Sequence, residues 1–273
     1  MGRHTPVTRG ELASAALSAA DAFTELVLSA REPDRRVPAT PAWTVTEVFG
    51  HVAMEPGRYR DLALGGDEYP EQVAELPAFN AEQVRTLPTR DLPALADRLG
   101  KDLRSFVATV QDFGDEQPLM FFDGGQRVRP DLALGTLLGE FLVHGHDIAR
   151  ALGRPWPIAP EYVPLVMEGL HQVLPGWVDP RRAAGHTATY AFRLRGEGAC
   201  AATYLYRFED GGLTVDPPGE HRPDVTITAS PVTALLLNYG RTSQWRAALT
   251  GGTTARGRRP WLAAKLRGRF LAA

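Results

Sequence analysis

Apolar residues recur along the first half of the chain at intervals of three and four. Over residues 8–31 the positions Leu12, Ala15, Ala16, Ala19, Phe23, Leu26 and Val27 form one stripe, the spacing of an amphipathic helix. Residues 32–43, rich in Pro and Arg, read as a loop. Thr44 with Glu47 three positions on makes a capping box that opens a second helix, continued by Val48, Val52 and Tyr59. Pro56-Gly57 falls inside that pattern and is expected to kink or end the helix about one turn beyond His51, since proline has no N–H to give and its ring crowds the preceding turn. Residues 65–88 are acidic and loop-like, with a short helix around residues 81–85. A third helix is expected over residues 91–113, with Leu95, Leu99, Leu103, Phe106, Val107 and Val110 on one face. Residues 119–128, broken by Asp123-Gly124-Gly125, suit a small hairpin or an irregular loop. Asp131 is expected to cap a strong fourth helix over residues 132–152, stopped by Gly153 and Pro155. A fifth follows over residues 160–174. Four main helices with one apolar face each call for a bundle.

After a Pro-, Gly- and Arg-containing boundary at residues 175–185 the period changes from 3.6 to 2. Tyr190, Phe192 and Leu194 alternate with polar or small residues, as do residues 202–208, and residues 213–215 and 225–228 are short β-like runs. Helices are expected at residues 231–239 and 260–270. The fold class is therefore α plus α+β: a helical bundle over residues 1–175, then a small α+β domain over residues 183–273.

The length of 273 residues suits two cores better than one. A net charge of −2 gives no broad field for nucleic acid or an anionic membrane. Of the 30 basic residues, all but Lys101 and Lys265 are arginine, which with abundant Ala, Gly and Pro points to a GC-rich genome rather than to a basic site. The single cysteine, Cys200, excludes an intramolecular disulfide and a cysteine metal cage. It lies in an alternating run and reads as a small buried strand residue. No signal-type apolar run follows the N-terminus, and no segment nears 18 uninterrupted apolar residues, so a cytoplasmic enzyme is expected.

Any metal must then be held by His and carboxylate. Glu140 and His144 stand four apart on the fourth helix, and Asp147 three further on, so all three share a side. The same helix carries Leu132, Leu134, Leu137, Leu138, Leu142 and Ile148. A carboxylate and an imidazole at the interior of a bundle need compensation for lost hydration, and a divalent cation such as zinc supplies it. His51, after Gly50, is the third ligand expected from the second helix. Glu47 and Glu55 flank it at i−4 and i+4 as further donors, Glu47 being engaged in the capping box. Asp147 suits an outer position beside a ligand or facing substrate. His146, about 200° round the helix from His144 at about 100° per residue, is left out of the ligand set. His4, His171, His186 and His221 read as surface residues.

Two stretches carry a family resemblance. Trp43-Thr-Val-Thr-Glu-Val-Phe-Gly-His51-Val and Gly139-Glu140-Phe-Leu-Val-His144-Gly-His-Asp147-Ile-Ala-Arg-Ala-Leu-Gly153 resemble the two motifs of the DinB-like, mycothiol-dependent maleylpyruvate isomerase family. The resemblance covers roughly residues 8–155. It implies a four-helix bundle in which His51, Glu140 and His144 bind one zinc, with mycothiol as the low-molecular-weight thiol cosubstrate and a small molecule as substrate. Residues 223–241 and 249–257 are similar to that family's C-terminal unit, itself similar to sterol-carrier proteins. There the family places an arginine near its active site after a glycine, which makes Arg241 the candidate to hold an acidic substrate through a bidentate guanidinium–carboxylate pair. His146 stands where many relatives carry an aromatic residue, making the ground beside the motif more polar.

The chemistry implied is addition of a thiolate to a small electrophile, ending in cis–trans isomerisation or in S-transfer. A thiol-independent lyase, hydrolase or cyclase at the same metal, and a non-catalytic lipid or small-molecule carrier, are the alternatives. The composition is compatible with an actinobacterium that makes mycothiol. No nucleic-acid or membrane partner is expected, and oligomeric state is left open.

Overall fold

Both helices that open the chain start at a capping box. Thr8 caps α1 (Arg9–Leu28) and Thr44 caps α2 (Val45–Ala63), each hydroxyl accepting the N–H of a glutamate three residues on whose carboxylate accepts in return. The computed structural model describes residues 7–66 and 68–271. They fall into two units, Val7–Ile158 with Leu165–Gln172, and Ala159–Pro164 with residues 173–271. His4 lies outside the described residues.

The first unit is a four-helix bundle of α1, α2, α4 (Leu92–Asp112) and α5 (Pro130–Leu152), with α3 (Leu76–Arg85) laid beside α2. Its core includes Leu12, Phe23, Phe49, Phe106, Leu138 and Phe141, all fully buried. The Phe23 ring lies 5.4 Å from Phe49 and 6.3 Å from Phe141 and so joins α1 to α2 and α5. Two small hairpins decorate the bundle, β1 (Arg36–Val37) with β2 (Thr40–Thr44) and β3 (Met120–Phe122) with β4 (Gln126–Val128). The first lies in the stretch read from sequence as a loop.

Several helix expectations need correction. α2 does not stop at Pro56 but runs on to Ala63. Packing on both sides of the proline holds it: Val52 and Tyr59 are buried, and Gly57 leaves room for the Asp102 carboxylate of α4, whose Oδ2 would lie 2.8 Å from a Cβ there. Burial of that face offsets the roughly 3 kcal/mol a mid-helix proline costs. At the other helix, Arg129 rather than Asp131 occupies the cap position and Pro130 is the first helical residue, a place where the missing N–H costs nothing. The Asp131 carboxylate accepts from the Leu132 N–H at 2.8 Å and pairs with the Arg129 guanidinium at 2.5 Å. α3 is also longer than the short helix expected there.

α6 (Tyr162–Val173) crosses α5 at close range. A Cβ on Gly135 would collide with the Leu165 carbonyl, and one on Gly169 with the Thr136 N–H, so the two glycines let backbone meet backbone. Gly153 ends α5 in the left-handed conformation at φ +66°.

The second unit is built on a five-stranded sheet in the order β7-β6-β5-β8-β9. The strands are β5 (Ala188–Leu194), β6 (Ala202–Glu209), β7 (Gly212–Val215), β8 (Val225–Ala229) and β9 (Thr253–Gly257); β5 and β8 are parallel, the other neighbours antiparallel. Alternation works as expected in β6, where Ala202, Tyr204, Tyr206 and Phe208 are buried. Short helices complete the unit: α7 (Pro180–Ala183), α8 (Pro231–Asn238), α9 (Gln244–Leu249) and α10 (Ala263–Leu266). The helix expected over residues 260–270 is instead α10 flanked by two 3₁₀ turns. Cys200 lies in a 3₁₀ turn, half-buried, and not in a strand. His186 is not a surface residue: it is buried, with its Nε2 2.9 Å from the Tyr190 hydroxyl and its ring 5.1 Å from Phe208. Among the described residues no helix is long and apolar enough to cross a membrane.

Candidate metal centre

α2 and α5 face each other inside the bundle, and each brings imidazole to the contact. His51 is buried in the second turn of α2, and His144 is buried in the middle of α5. Their ring centroids are 5.7 Å apart and the planes meet nearly edge to face. Glu140, one turn before His144, sets its Oε2 3.1 Å from His144 Nε2. One ligand atom from each of His51, Glu140 and His144 falls within 4.8 Å of the others. The three side chains come from sequence positions almost ninety residues apart, so only the tertiary fold brings them together.

Small residues make the approach possible. A Cβ on Gly50 would run into the Leu87 side chain, so the close neighbour is the segment after α3 and not a helix. A Cβ on Gly145 would run into the Trp156 indole, whose Nε1 donates to the Leu142 carbonyl at 2.9 Å. Trp43 of β2 places its ring 5.2 Å from that of His51.

The outer groups differ for the two histidines. His51 Nδ1 is 2.7 Å from Gln83 Oε1 and 3.7 Å from Glu55 Oε1. Glu55 is buried and lies 3.2 Å from Arg58 Nη1; Arg58 in turn lies over the Phe79 ring at 4.7 Å and the Tyr69 ring at 5.4 Å. His144 Nδ1 is buried without a hydrogen-bond partner, and Asp147 Oδ2 stands 3.9 Å from it. Glu47 stays in its capping box, its carboxylate accepting from the Thr44 N–H at 2.9 Å. Of the flanking donors the sequence offered, then, Glu55 turns to His51 and Arg58 while Glu47 serves the helix end. Gln83 could not be singled out in the sequence: it sits in the acidic stretch before α4, with no spacing that ties it to His51.

Burial lowers the pKa of His51, with Glu55 opposing and His144 adding to the effect. The ring is therefore neutral at pH 7, the form with a lone pair to give. Tyr59 and Tyr69 are held protonated, their pKa values raised well above the usual range by burial first and by neighbouring acidic groups second.

Arg241 belongs to the second unit. The end of α8 is closed by a Schellman pair, with the Arg241 N–H donating to the Leu236 carbonyl at 2.7 Å and the Gly240 N–H to that of Leu237 at 3.1 Å. Gly240, at φ +72°, supplies the left-handed residue that the motif needs. The guanidinium Nη1 donates to the Tyr239 carbonyl at 2.6 Å.

Fold and site together define a two-unit protein in which a four-helix bundle carrying a His–Glu–His cluster precedes a sterol-carrier-like α+β domain. The chain belongs to the mycothiol maleylpyruvate isomerase family, an enzyme family: residues 13–149 match the model of its N-terminal domain. Residues 170–258 match the SCP-2 sterol transfer family. Among solved structures, the mycothiol-dependent maleylpyruvate isomerase is similar at 15% identity and a TM-score of 0.54, over 91% of this chain and 93% of that one. A histidine-to-alanine mutant of that isomerase matches with the same values. At 15% identity the likeness is one of fold. No curated protein matches the chain in sequence.

The family implies a divalent metal, and the residues present fit one. Two imidazoles and a carboxylate are the nitrogen and oxygen donors of catalytic zinc sites, which leave a further position open. Donors about 2.0–2.1 Å from zinc stand roughly 3.4 Å apart in a tetrahedron, so a spread within 4.8 Å asks for a small inward adjustment. The buried His144 Nδ1, lacking a hydrogen-bond partner, is the kind of group that a cation-directed histidine leaves facing its outer carboxylate, here Asp147.

Proposed function

We propose that this chain is a metal-dependent enzyme that uses mycothiol, or a closely related low-molecular-weight thiol, to act on a small electrophilic substrate, by cis–trans isomerisation or by S-transfer. The observation that carries the reading is the convergence of His51, Glu140 and His144 in a bundle of this family. His51, Glu140 and His144 hold the cation, most simply zinc. When bound, the cation supplies the positive charge that keeps a thiol in its nucleophilic thiolate form at neutral pH. The thiol supplies a nucleophile that adds to an electron-poor alkene and either leaves after the C–C bond has turned or remains as the S-transfer product.

The protein's own part is placement. Asp147 Oδ2 stands 3.9 Å from His144 Nδ1, near enough to take up its N–H after a small movement when a cation is bound. The Trp43 indole, 5.2 Å from the His51 ring, shields that ring from water. Arg241 is the candidate to hold the carboxylate of an acidic substrate such as maleylpyruvate, the compound that names the similar isomerase. The protein works in the cytoplasm of an actinobacterium, where such a thiol is made.

The test is turnover of maleylpyruvate and other small unsaturated acids with and without added mycothiol, by untagged zinc-loaded protein. The expected result is activity that requires the thiol. Equal turnover without thiol would replace this reading with a thiol-independent lyase or hydrolase. The SCP-2 match supports a second reading, an apolar-ligand carrier. Substoichiometric metal that does not change in His51→Ala would favour it.

A further inference from the structure

The two histidines of the centre are not held alike, and the difference points to a positioning residue outside the bundle. His51 Nδ1 has Gln83 Oε1 at 2.7 Å. An amide oxygen only accepts, so the ring nitrogen facing it carries the hydrogen. The other group near that nitrogen is also an acceptor, Glu55 Oε1 at 3.7 Å, too far for a full hydrogen bond. With Nδ1 protonated in a neutral imidazole, the lone pair is on Nε2.

The surroundings hold this arrangement in place. Gln83 belongs to α3, and Arg58 of α2 packs its guanidinium over Phe79 of α3 at 4.7 Å while pairing with Glu55 at 3.2 Å. The two acceptors are thus tied to each other through Arg58 and kept on one side of the His51 ring. His144 and Glu140 of α5 are the charged or titratable groups on the other side. His144 itself has no such lock, for its Nδ1 lacks a hydrogen-bond partner.

We infer that Gln83 is a positioning residue that fixes His51 as the Nδ1–H tautomer and so presents Nε2 as the donor to a divalent cation. The inference rests on the metal reading above and adds to it a role for α3: the helix outside the bundle sets the direction of a ligand inside it. Outer partners of this kind change metal affinity by about 10- to 100-fold.

Three full-length proteins test it: wild type, Gln83→Leu, which keeps the volume but removes the acceptor, and Gln83→Glu, which keeps an acceptor oxygen. Zinc affinity is read by chelator competition, and the His51 tautomer by ¹⁵N NMR of metal-free protein. Wild type is expected to show Nδ1–H. Gln83→Leu is expected to bind zinc about 10- to 100-fold more weakly and to show a mixture of tautomers, while Gln83→Glu stays near wild type in both. Wild-type affinity in Gln83→Leu overturns the inference. So does a Gln83→Glu protein as weak as the leucine variant, because volume and not the acceptor would then matter. If Gln83→Leu does not fold, the wild-type spectrum still decides: an Nε2–H ring overturns the inference. Wild-type protein that binds no zinc but shows Nδ1–H retires the metal reading and leaves the lock standing.

Discussion

At the scale of single residues the centre depends on one-turn neighbours. Glu140 and His144 are adjacent because α5 is helical, and their 3.1 Å contact needs nothing else. Replacing either by Ala removes a donor and leaves the apolar face of α5, from Leu134 to Ile148, in the core. Glu140→Ala and His144→Ala should therefore lose zinc affinity by more than the roughly 10–100-fold that outer partners are worth, with the helical circular-dichroism spectrum unchanged. Full metal content in either variant, measured on protein purified without a His tag, would remove that residue from the ligand set. Arg241 is predicted to behave differently. Loss of a charge-assisted pair costs about 1.5–3 kcal/mol, so Arg241→Ala should raise KM for an acidic substrate by roughly one to two orders of magnitude while zinc content stays the same. Because the Schellman cap is made by its backbone N–H, the variant keeps the end of α8. Unchanged kinetics would make the guanidinium only an accessory to the Tyr239 carbonyl.

At the scale of elements, what the sequence made legible was local. The stripes of α1, α4 and α5, the capping box of α2 and the alternation in β6 depend on neighbours within a turn or on one strand. They appear where the pattern puts them. What stayed hidden depends on packing. Pro56 reads as a kink or a stop because proline is a poor helix residue, but α2 continues past it because buried Tyr59 and the Gly57–Asp102 approach anchor the far side. β9 escaped notice because it is an edge strand of mostly exposed Thr, Ala, Arg and Gly with no apolar alternation. The pairing of Glu140 with His144 follows from spacing alone, whereas His51 was the third ligand expected on the capped helix and matched by the family motifs, and Gln83 had no local signal at all. The α5–α6 crossing offers a test in which propensity and packing disagree in sign. On propensity alone Gly135→Ala gains about 1 kcal/mol in a helix. The new Cβ would strike the Leu165 carbonyl, backbone that cannot swing aside, and overpacking of this kind typically costs about 1–3 kcal/mol. A lowered melting midpoint in Gly135→Ala is expected; a raised one would show that α6 can yield.

At the scale of the whole molecule, the response to acid separates the second unit from the metal site. His186 is buried beside Phe208 with its Nε2 at the Tyr190 hydroxyl. Burial lowers its pKa below the ordinary imidazole value of about 6.5, and the nearby cations Arg269, Arg259 and Lys265 lower it further. In the unfolded chain the ring gains its proton near pH 6.5, while in the folded chain it resists to lower pH. The unfolded state then binds more protons in that window, and stability falls as the pH drops. The contribution of neutral His186 is thus complete above about pH 6.5 and is lost progressively as the pH falls toward the folded value. Arg269 also donates to the Arg182 carbonyl, which keeps one of these cations anchored in the unit. His186→Phe keeps an aromatic ring against Phe208 and cannot titrate. It leaves the Tyr190 hydroxyl without its nitrogen partner, a loss that is the same at every pH in this range, because burial first of all raises the tyrosine pKa to about 12. The variant is therefore expected to be less stable at pH 8 but to lose less between pH 8 and pH 5. Melts of metal-free protein in the presence of chelator isolate the effect, since wild type and variant then share whatever proton uptake His51 and His144 contribute. Parallel curves for the two proteins would mean that His186 is protonated in the folded chain as easily as in the unfolded one, and that the burial around it does not resist charge.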